Sequence, residues 1–389
     1  MVYDFSQGTD RLKTHAVKWQ EVAKDSAYIP LGIADMDFPI APEIQEALLD
    51  YVKTGDYGYA YTSQNLYQAV IDWEAEQFSN PVLEDEILFV SGVVPSISIA
   101  LQALTQPGDS ILINTPYYGP IPRTIQLLDR QLVKNELIKV DGRYQIDFAL
   151  LEQQIKEQDV RAYVLCNPQN PSGRVWTREE LERIGNLCLK HDVLLIIDEI
   201  HRDLTLYGNQ HTSFNTIDPR FRDISIVLSS ATKTFNLAAT KNSMAIIANP
   251  KLRKAFIRQR LANNQHEVPT LGMVATEAAF TKGKPWLLAL RKQIEQHADY
   301  VAERLGLTTK IQVMKPEATY LLWLDFSAYG LEDKDLYAKW HDQAKLLFNE
   351  GTAFGQAGSQ HARMNLALPF ERIAEACDRL IEVFGTGQQ

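Results

Sequence analysis

Short apolar runs recur along the middle of the chain, each rich in Ile, Val and Leu. ILFV (87–90), SILIN (110–114), AYVLC (162–166), VLLIID (193–198), ISIVLS (224–229) and MAIIA (244–248) read as strands. Continuous apolar runs, rather than alternating ones, mark strands covered on both faces. Amphipathic stretches lie between several of them. One is REELERIGNLCLKH (178–191), whose Leu181, Ile184, Leu187 and Cys188 fall on one helical face. The alternation predicts an α/β chain: a mostly parallel sheet from about 87 to about 250, sandwiched by helices.

The flanks read differently. The first forty-odd residues are irregular and lead through ADMDFPIAPEI into a helix near 43–53, with Pro42 and Glu43 suited to its first turn. Beyond 285 the pattern turns to long helices around 286–305 and 333–348, short strands in TYLLWLDF (319–326), and a closing helix near 370–384. Residues 51–285 are therefore expected to form a large domain and 286–389 a smaller α+β domain, with the N-terminal segment 1–50 packing against the smaller one.

Composition narrows the classes. The 389 residues carry 39 Lys and Arg against 49 Asp and Glu, a formal charge of −10. That balance argues against a general nucleic-acid or lipid-binding role, but leaves room for a small anion site in a cleft. Cys166, Cys188 and Cys377 are far apart and form no C-x-x-C pair, so no disulfide framework and no metal site are expected. The N-terminal stretch has no apolar signal region, and no apolar run approaches a membrane span. A cytoplasmic protein is the expectation.

In open parallel sheets, ligands bind beyond the carboxyl ends of the strands. Each strand end here carries something. Ser91-Gly92 opens directly into an apolar helix, whose free N–H groups suit a phosphate, although many such helix starts bind nothing. Tyr117 and Tyr118 sit on a Pro-bracketed turn, where an aromatic either stacks on a planar ring or packs on its neighbours. Two Asn-Pro steps in NPQNPSGRVW define a turn from which Asn170 either projects its amide to a ligand or caps the loop. Asp198 ends a wholly apolar run, where a carboxylate requires a cation: a protonated pyridine nitrogen, or a structural Arg or Lys. His201 follows three residues on and also reads as an ordinary polar histidine. After ISIVLS comes SSATKTFN, which sets Lys233 among Ser229, Ser230, Thr232 and Thr234, with Lys241 eight residues further. Lys233 is either a solvated loop charge or a partly desolvated amine whose lowered pKa suits Schiff-base chemistry. Together these groups ask for a phosphate, a planar ring, a ring nitrogen and an aldehyde. Pyridoxal 5'-phosphate has all four.

These residues resemble the fold-type I pyridoxal-phosphate enzymes of the aspartate aminotransferase superfamily. Within it the chain is similar to the MalY/PatB group of cystathionine β-lyases and related C–S lyases. The resemblance is carried by ADMDFPIAPEI (34–44), YGY (57–59), SGVVPSI (91–97), TPYYGP (115–120), LCNPQNPSGRVWT (165–177), DEIHRDL (198–204), TKTFN (232–236), TYLLWLDF (319–326) and the FG-x-x-G…R-M-N stretch from Phe354 to Asn365.

The resemblance implies Lys233 as the Schiff-base lysine and Asp198 as partner of the pyridine nitrogen. Asn170 and His201 would face the cofactor's phenolic oxygen, and Tyr118 would stack on the ring. It implies a phosphate held after Gly92 by the amides of Val93 and Val94 and by Ser230, with Lys241 where relatives carry an arginine or a neutral residue. Tyr59 would reach the phosphate of a neighbouring subunit, giving a homodimer with shared active sites. Arg363 would grip the substrate α-carboxylate, with Ala34 and Asn170 beside it. The implied reaction is β-elimination on a sulfur amino acid, such as cystathionine or a cysteine conjugate, giving pyruvate, ammonia and a thiol, with Lys233, Tyr59 and Arg363 catalytic. A class I/II aminotransferase and a lyase-fold protein with a regulatory, protein-binding role are the alternatives. Ala231 and Thr232 precede the lysine where serine is common, and NLALPFER lacks the usual Pro-Arg.

Overall fold

The computed structural model describes residues 3–385. Residues 1–2 and 386–389, which belong to the expected N- and C-terminal segments, lie outside the described residues. In chain order the strands are β1 (Ile29–Pro30), β2 (Ile87–Val90), β3 (Ser110–Thr115), β4 (Gln131–Glu136), β5 (Ile138–Val140), β6 (Arg143–Gln145), β7 (Val160–Cys166), β8 (Leu194–Asp198), β9 (Ser225–Ser229) and β10 (Ser243–Ile246). They are followed by β11 (Gln312–Met314), β12 (Leu321–Asp325), β13 (Leu346–Leu347), β14 (Asn349–Glu350) and β15 (His361–Asn365).

Seven strands form the central sheet in the order β2-β10-β9-β8-β7-β3-β4. β10 runs antiparallel to both neighbours, and the other pairs are parallel. The continuous apolar runs are explained by where alternate residues point. In β8, Ile196 joins Val164 and Ile226 in the core on one face. Leu195 and Ile197 join Leu165 and Val227 on the other. Each such side chain contributes about 1.5–3 kcal/mol on burial. Strand β4 is the one the apolar pattern does not reveal, because it sits at the edge and alternates Val133 and Asn135 inward with Lys134 and Glu136 outward.

A second, antiparallel sheet has the order β11-β12-β15-β14. The N-terminal segment joins this part of the chain through β1, which pairs in parallel with β13, Ile29 against Leu346 and Pro30 against Leu347. That pairing corrects the helix expected over 333–348. The α-helix covers only Asp333–Tyr337, a π-helical stretch follows over Ala338–Gln343, and Lys345 at φ 57° turns the chain into β13. The other long helices run Lys284–Thr308 and Phe370–Phe384. Among the described residues no helix is long and apolar enough to cross a membrane.

Buried polar contacts lock the loops that follow β8 and β9. Arg202 pairs with Glu74 on the helix Gln64–Phe78, and its Nη1 lies 3.6 Å from Glu199. Asp203 accepts from Trp73 Nε1 at 2.9 Å and from Thr234 Oγ1 at 2.8 Å. Replacing Arg202 by methionine leaves the buried Glu74 carboxylate without a cation, while Glu199 keeps His211 at 3.1 Å. The expected cost is about 3–5 kcal/mol, read as a lower urea midpoint for unfolding of the R202M protein.

Candidate active site

The carboxyl ends of the sheet strands surround a cavity of about 470 Å³. Gly92, Val93 and Val94 reach it from the turn after β2, Tyr118 after β3, Asn170 after β7, Asp198 and His201 at the end of β8, Lys233 after β9, and Lys241 just before the antiparallel β10. Ala34 closes it from the N-terminal segment and Arg363 from β15. All the expected residues therefore meet at one place except two. Ser230 caps the short turn that carries Lys233, giving its proton to the Asn242 carbonyl at 2.6 Å and accepting from Thr232 N at 3.1 Å. Of this neighbouring pair, Thr232 is the one that reaches the cavity wall. Tyr59 is 99% exposed and lines a separate groove with Tyr61 and Arg260, so it reaches nothing in its own chain's cavity.

Lys233 donates from Nζ to the Ala34 carbonyl at 2.6 Å. Burial pulls its pKa down to about 8, helped by the Arg363 and Lys241 charges and opposed by Asp35 and Asp198. Asp198 is buried, and its carboxylate accepts the Ile200 amide at 3.0 Å. Burial raises it to about 6, moderated by that amide and by Lys233. It makes no salt bridge among the described residues. The structural Arg or Lys that would explain such a carboxylate is therefore absent there, and a cation is still required. His201 is buried with Nδ1 lacking any hydrogen-bond partner. Burial, with Lys233 and Arg363 nearby, pushes it down to about 3, so the imidazole is neutral at physiological pH.

Arg363 is buried, and burial lowers it to about 10. Nη1 donates to Asn170 Oδ1 at 2.9 Å, and Nη2 to Asn349 Oδ1 at 2.6 Å and the Gly32 carbonyl at 3.1 Å. The Phe354 ring lies 4.9 Å from the guanidinium carbon. Register places Arg363 opposite Asn349 of β14. Sequence reasoning did not find Asn349, whose only local signal is a polar residue in a two-residue strand. It also did not weigh Asn242, Ser243 or Tyr320, whose hydroxyl shares the Ala34 carbonyl at 3.0 Å.

The chemistry of these groups fits pyridoxal 5'-phosphate. The helix Val93–Leu104 starts at the cavity, so its first amides have no partner within the helix. Those amides, the Thr232 hydroxyl and Lys241 suit a phosphate, while the Ser91 hydroxyl donates to Gln265 Oε1 at 2.8 Å. The unpaired Asp198 carboxylate suits a protonated ring nitrogen, and the depressed Lys233 amine suits the aldehyde. The fold and this set of groups define a pyridoxal-phosphate-dependent enzyme of fold type I.

Residues 26–380 match the family described as aminotransferase class I and II, and the chain belongs to it. It is 36% identical over 381 residues to cystathionine beta-lyase PatB of Bacillus subtilis, spanning 97% of this chain and 98% of that protein. It is 28% identical over 386 residues to protein MalY of Escherichia coli, spanning 98% of each. The crystal structure of cystalysin from Treponema denticola, which contains pyridoxal 5'-phosphate, matches with a TM-score of 0.95 and 34% identity, over 98% of this chain and 99% of that one.

The depressed Lys233 is directly measurable. Competitive reductive methylation of the full-length chain freed of cofactor, read by mass spectrometry, is expected to give Lys233 a midpoint near pH 8, below the solvent-exposed lysines. The Arg363 cation disfavours the charged lysine, so Arg363→Gln should move that midpoint upward.

Proposed function

We propose that this protein is a carbon–sulfur lyase that breaks the Cβ–S bond of a sulfur amino acid, with cystathionine as substrate. The observation that carries the reading is the convergence of the half-buried Lys233 with the buried Asp198 and Arg363 on one cavity. Further support comes from the relatives named cystathionine beta-lyase and from the 34% identity to cystalysin over nearly the whole chain.

On this reading the bound cofactor supplies an electrophilic carbon and a protonated ring that takes up the electron pair left at Cα. Asp198 holds the proton on the ring nitrogen, a task its burial suits because the carboxylate lacks another cation. Val93 and Val94 amides, Thr232 and Lys241 hold the phosphate, with Ser230 fixing Thr232 from behind. Asn170 and the neutral His201 would hold the cofactor's phenolic oxygen, and Tyr118, exposed at the mouth, would supply an aromatic face to its ring. Tyr59, exposed and outside its own chain's cavity, would reach the phosphate of a second copy of the chain, which would make the working unit a homodimer. Of the expected segments, the described residues 3–50 and 286–385 would form the smaller domain beside residues 51–285, a division supported by the pairing of Ile29–Pro30 with Leu346–Leu347.

Arg363 binds the substrate α-carboxylate through Nη1 and Nη2, the two nitrogens already aimed into the cavity by Asn170 and Asn349. Lys233 Nζ removes the Cα proton as general base. The Cβ–S bond then breaks, sulfur leaves with the bonding pair, and the Lys233 ammonium returns a proton to it. The three-carbon unsaturated amine that remains takes up water and gives pyruvate and ammonia.

Cystathionine incubated with the holoenzyme should yield pyruvate, ammonia and homocysteine in equal amounts. Amination of an added 2-oxo acid without pyruvate would overturn the lyase reading in favour of transamination. Arg363→Ala should lower kcat/KM by roughly 30-fold to several thousand-fold, because truncating one partner of a buried charge pair costs about 2–5 kcal/mol.

A further inference from the structure

The carbonyl that receives Lys233 belongs to a turn in which successive backbone oxygens are each held by a side chain. Asn365 Nδ2 donates to the Ile33 carbonyl at 2.8 Å and to the Asp35 carbonyl at 2.7 Å. The Ala34 carbonyl, between them, accepts Lys233 Nζ and Tyr320 OH. The Met36 carbonyl accepts Arg11 Nη1 at 2.7 Å and Asn236 Nδ2 at 3.0 Å. Asn365 is itself immobilised. Its amide N–H donates to the Leu31 carbonyl at 2.7 Å, its Oδ1 accepts Ala367 N at 2.8 Å, and it is wholly buried. It stands two residues after Arg363 on β15, so both side chains project from the same face of the strand.

A single amide that bridges the carbonyls on either side of Ala34 leaves the middle one little freedom to turn. We propose that Asn365 is a positioning residue that fixes the Ala34 carbonyl as the acceptor for the Lys233 ammonium, with Tyr320 as the second donor to the same oxygen. The inference rests on the assignment of Lys233 as the reactive amine and adds the device that holds it whenever its nitrogen carries a proton. Four charged groups also act on Lys233: Arg363 from β15, Asp35 from the same turn, Asp198 from the end of β8, and Lys241 before β10. His201, neutral, completes the wall. None of these is removed by a change at position 365 or 320, so the contribution of the carbonyl can be separated from theirs.

A hydrogen bond to the charged form of a group stabilises that form, so freeing the Ala34 carbonyl should lower the Lys233 midpoint. Competitive reductive methylation of the full-length, cofactor-free chain reads that midpoint at Lys233 alone. Asn365→Ala is expected to lower it by about one pH unit, roughly a tenfold change in the protonation equilibrium. Tyr320→Phe removes one hydroxyl whose proton points at the shared oxygen. It is expected to raise the midpoint, because the lysine becomes the carbonyl's sole donor. If Asn365→Ala does not fold, Tyr320→Phe decides: a raised midpoint supports the inference and an unchanged or lowered one overturns it. Midpoints that stay at the unsubstituted value in both folded variants overturn it while leaving the lyase reading intact. No ionisable, reactive amine at position 233 in the unsubstituted chain would overturn the assignment of Lys233 and this inference together.

Discussion

Withdrawal of charge from water is the constraint on which the rest of this structure depends. Lys233, Arg363 and Asp198 stand in one cleft, and each is driven by burial toward its neutral form: the lysine to about 8, the arginine to about 10, the aspartate to about 6. The two cations repel each other and the carboxylate offsets only part of that repulsion. Groups in such an arrangement are held there by the surrounding fold, since their own interactions would not assemble them. The same tension makes the site receptive. A cationic ring nitrogen relieves the aspartate, and an incoming carboxylate relieves the arginine.

The fold supplies the restraint by placing every reactive group at the end of something rigid. Asp198 closes β8, a strand buried on both faces. Lys233 sits in a one-turn helix capped by Ser230, and Thr234 and Asp203 pin that helix to Trp73. Asn236 ties the next residues to the carbonyls of Met36 and Phe38, about two hundred positions earlier in the chain. Arg11 grips Asp35 and Asp37 from the far side of that segment. The N-terminal segment is thus part of the cavity wall, held from the large sheet by Asn236 and from the antiparallel sheet by Asn365.

Much of this was legible in the sequence because apolar runs and strand ends have local signatures. VLLIID and ISIVLS could only be strands covered on both faces, and the residues after them had to lie at one rim of a parallel sheet. What stayed illegible depends on long-range pairing. The edge strand β4 has only Leu132 and Val133 as apolar residues, too short a run to mark it. The helix expected across 333–348 stops early because Leu346 and Leu347 are claimed by Ile29 and Pro30, a partnership that no local pattern announces. At the site, Thr232 and Ser230 are chemically alike in the sequence. Only the cap geometry decides that one is turned inward to Asn242 while the other meets the cavity. Asn349 and Tyr320 carry no motif of their own; β-sheet register and the close approach of a distant turn bring them in.

Strand β15 connects the two halves of the proposed chemistry. Arg363 and Asn365 leave the same face of it, one toward the place of a substrate carboxylate, the other toward the turn that holds Lys233. Arg363 also donates to the Gly32 carbonyl and Asn365 to that of Asp35, so the strand touches the N-terminal segment on both sides of Ile33. The electrostatic consequence follows from the sign of each charge. Arg363 disfavours a second cation in the cavity, and the Lys233 amine loses its proton readily. When an α-carboxylate neutralises Arg363, that repulsion disappears and the proton affinity of the amine rises. On the proposed reading, the low proton affinity suits the lysine to the cofactor's aldehyde, and the freed amine becomes a stronger base once the carboxylate is seated. A guanidinium close enough to be felt by the lysine, yet fixed to a different sheet, is what lets one charge serve both conditions.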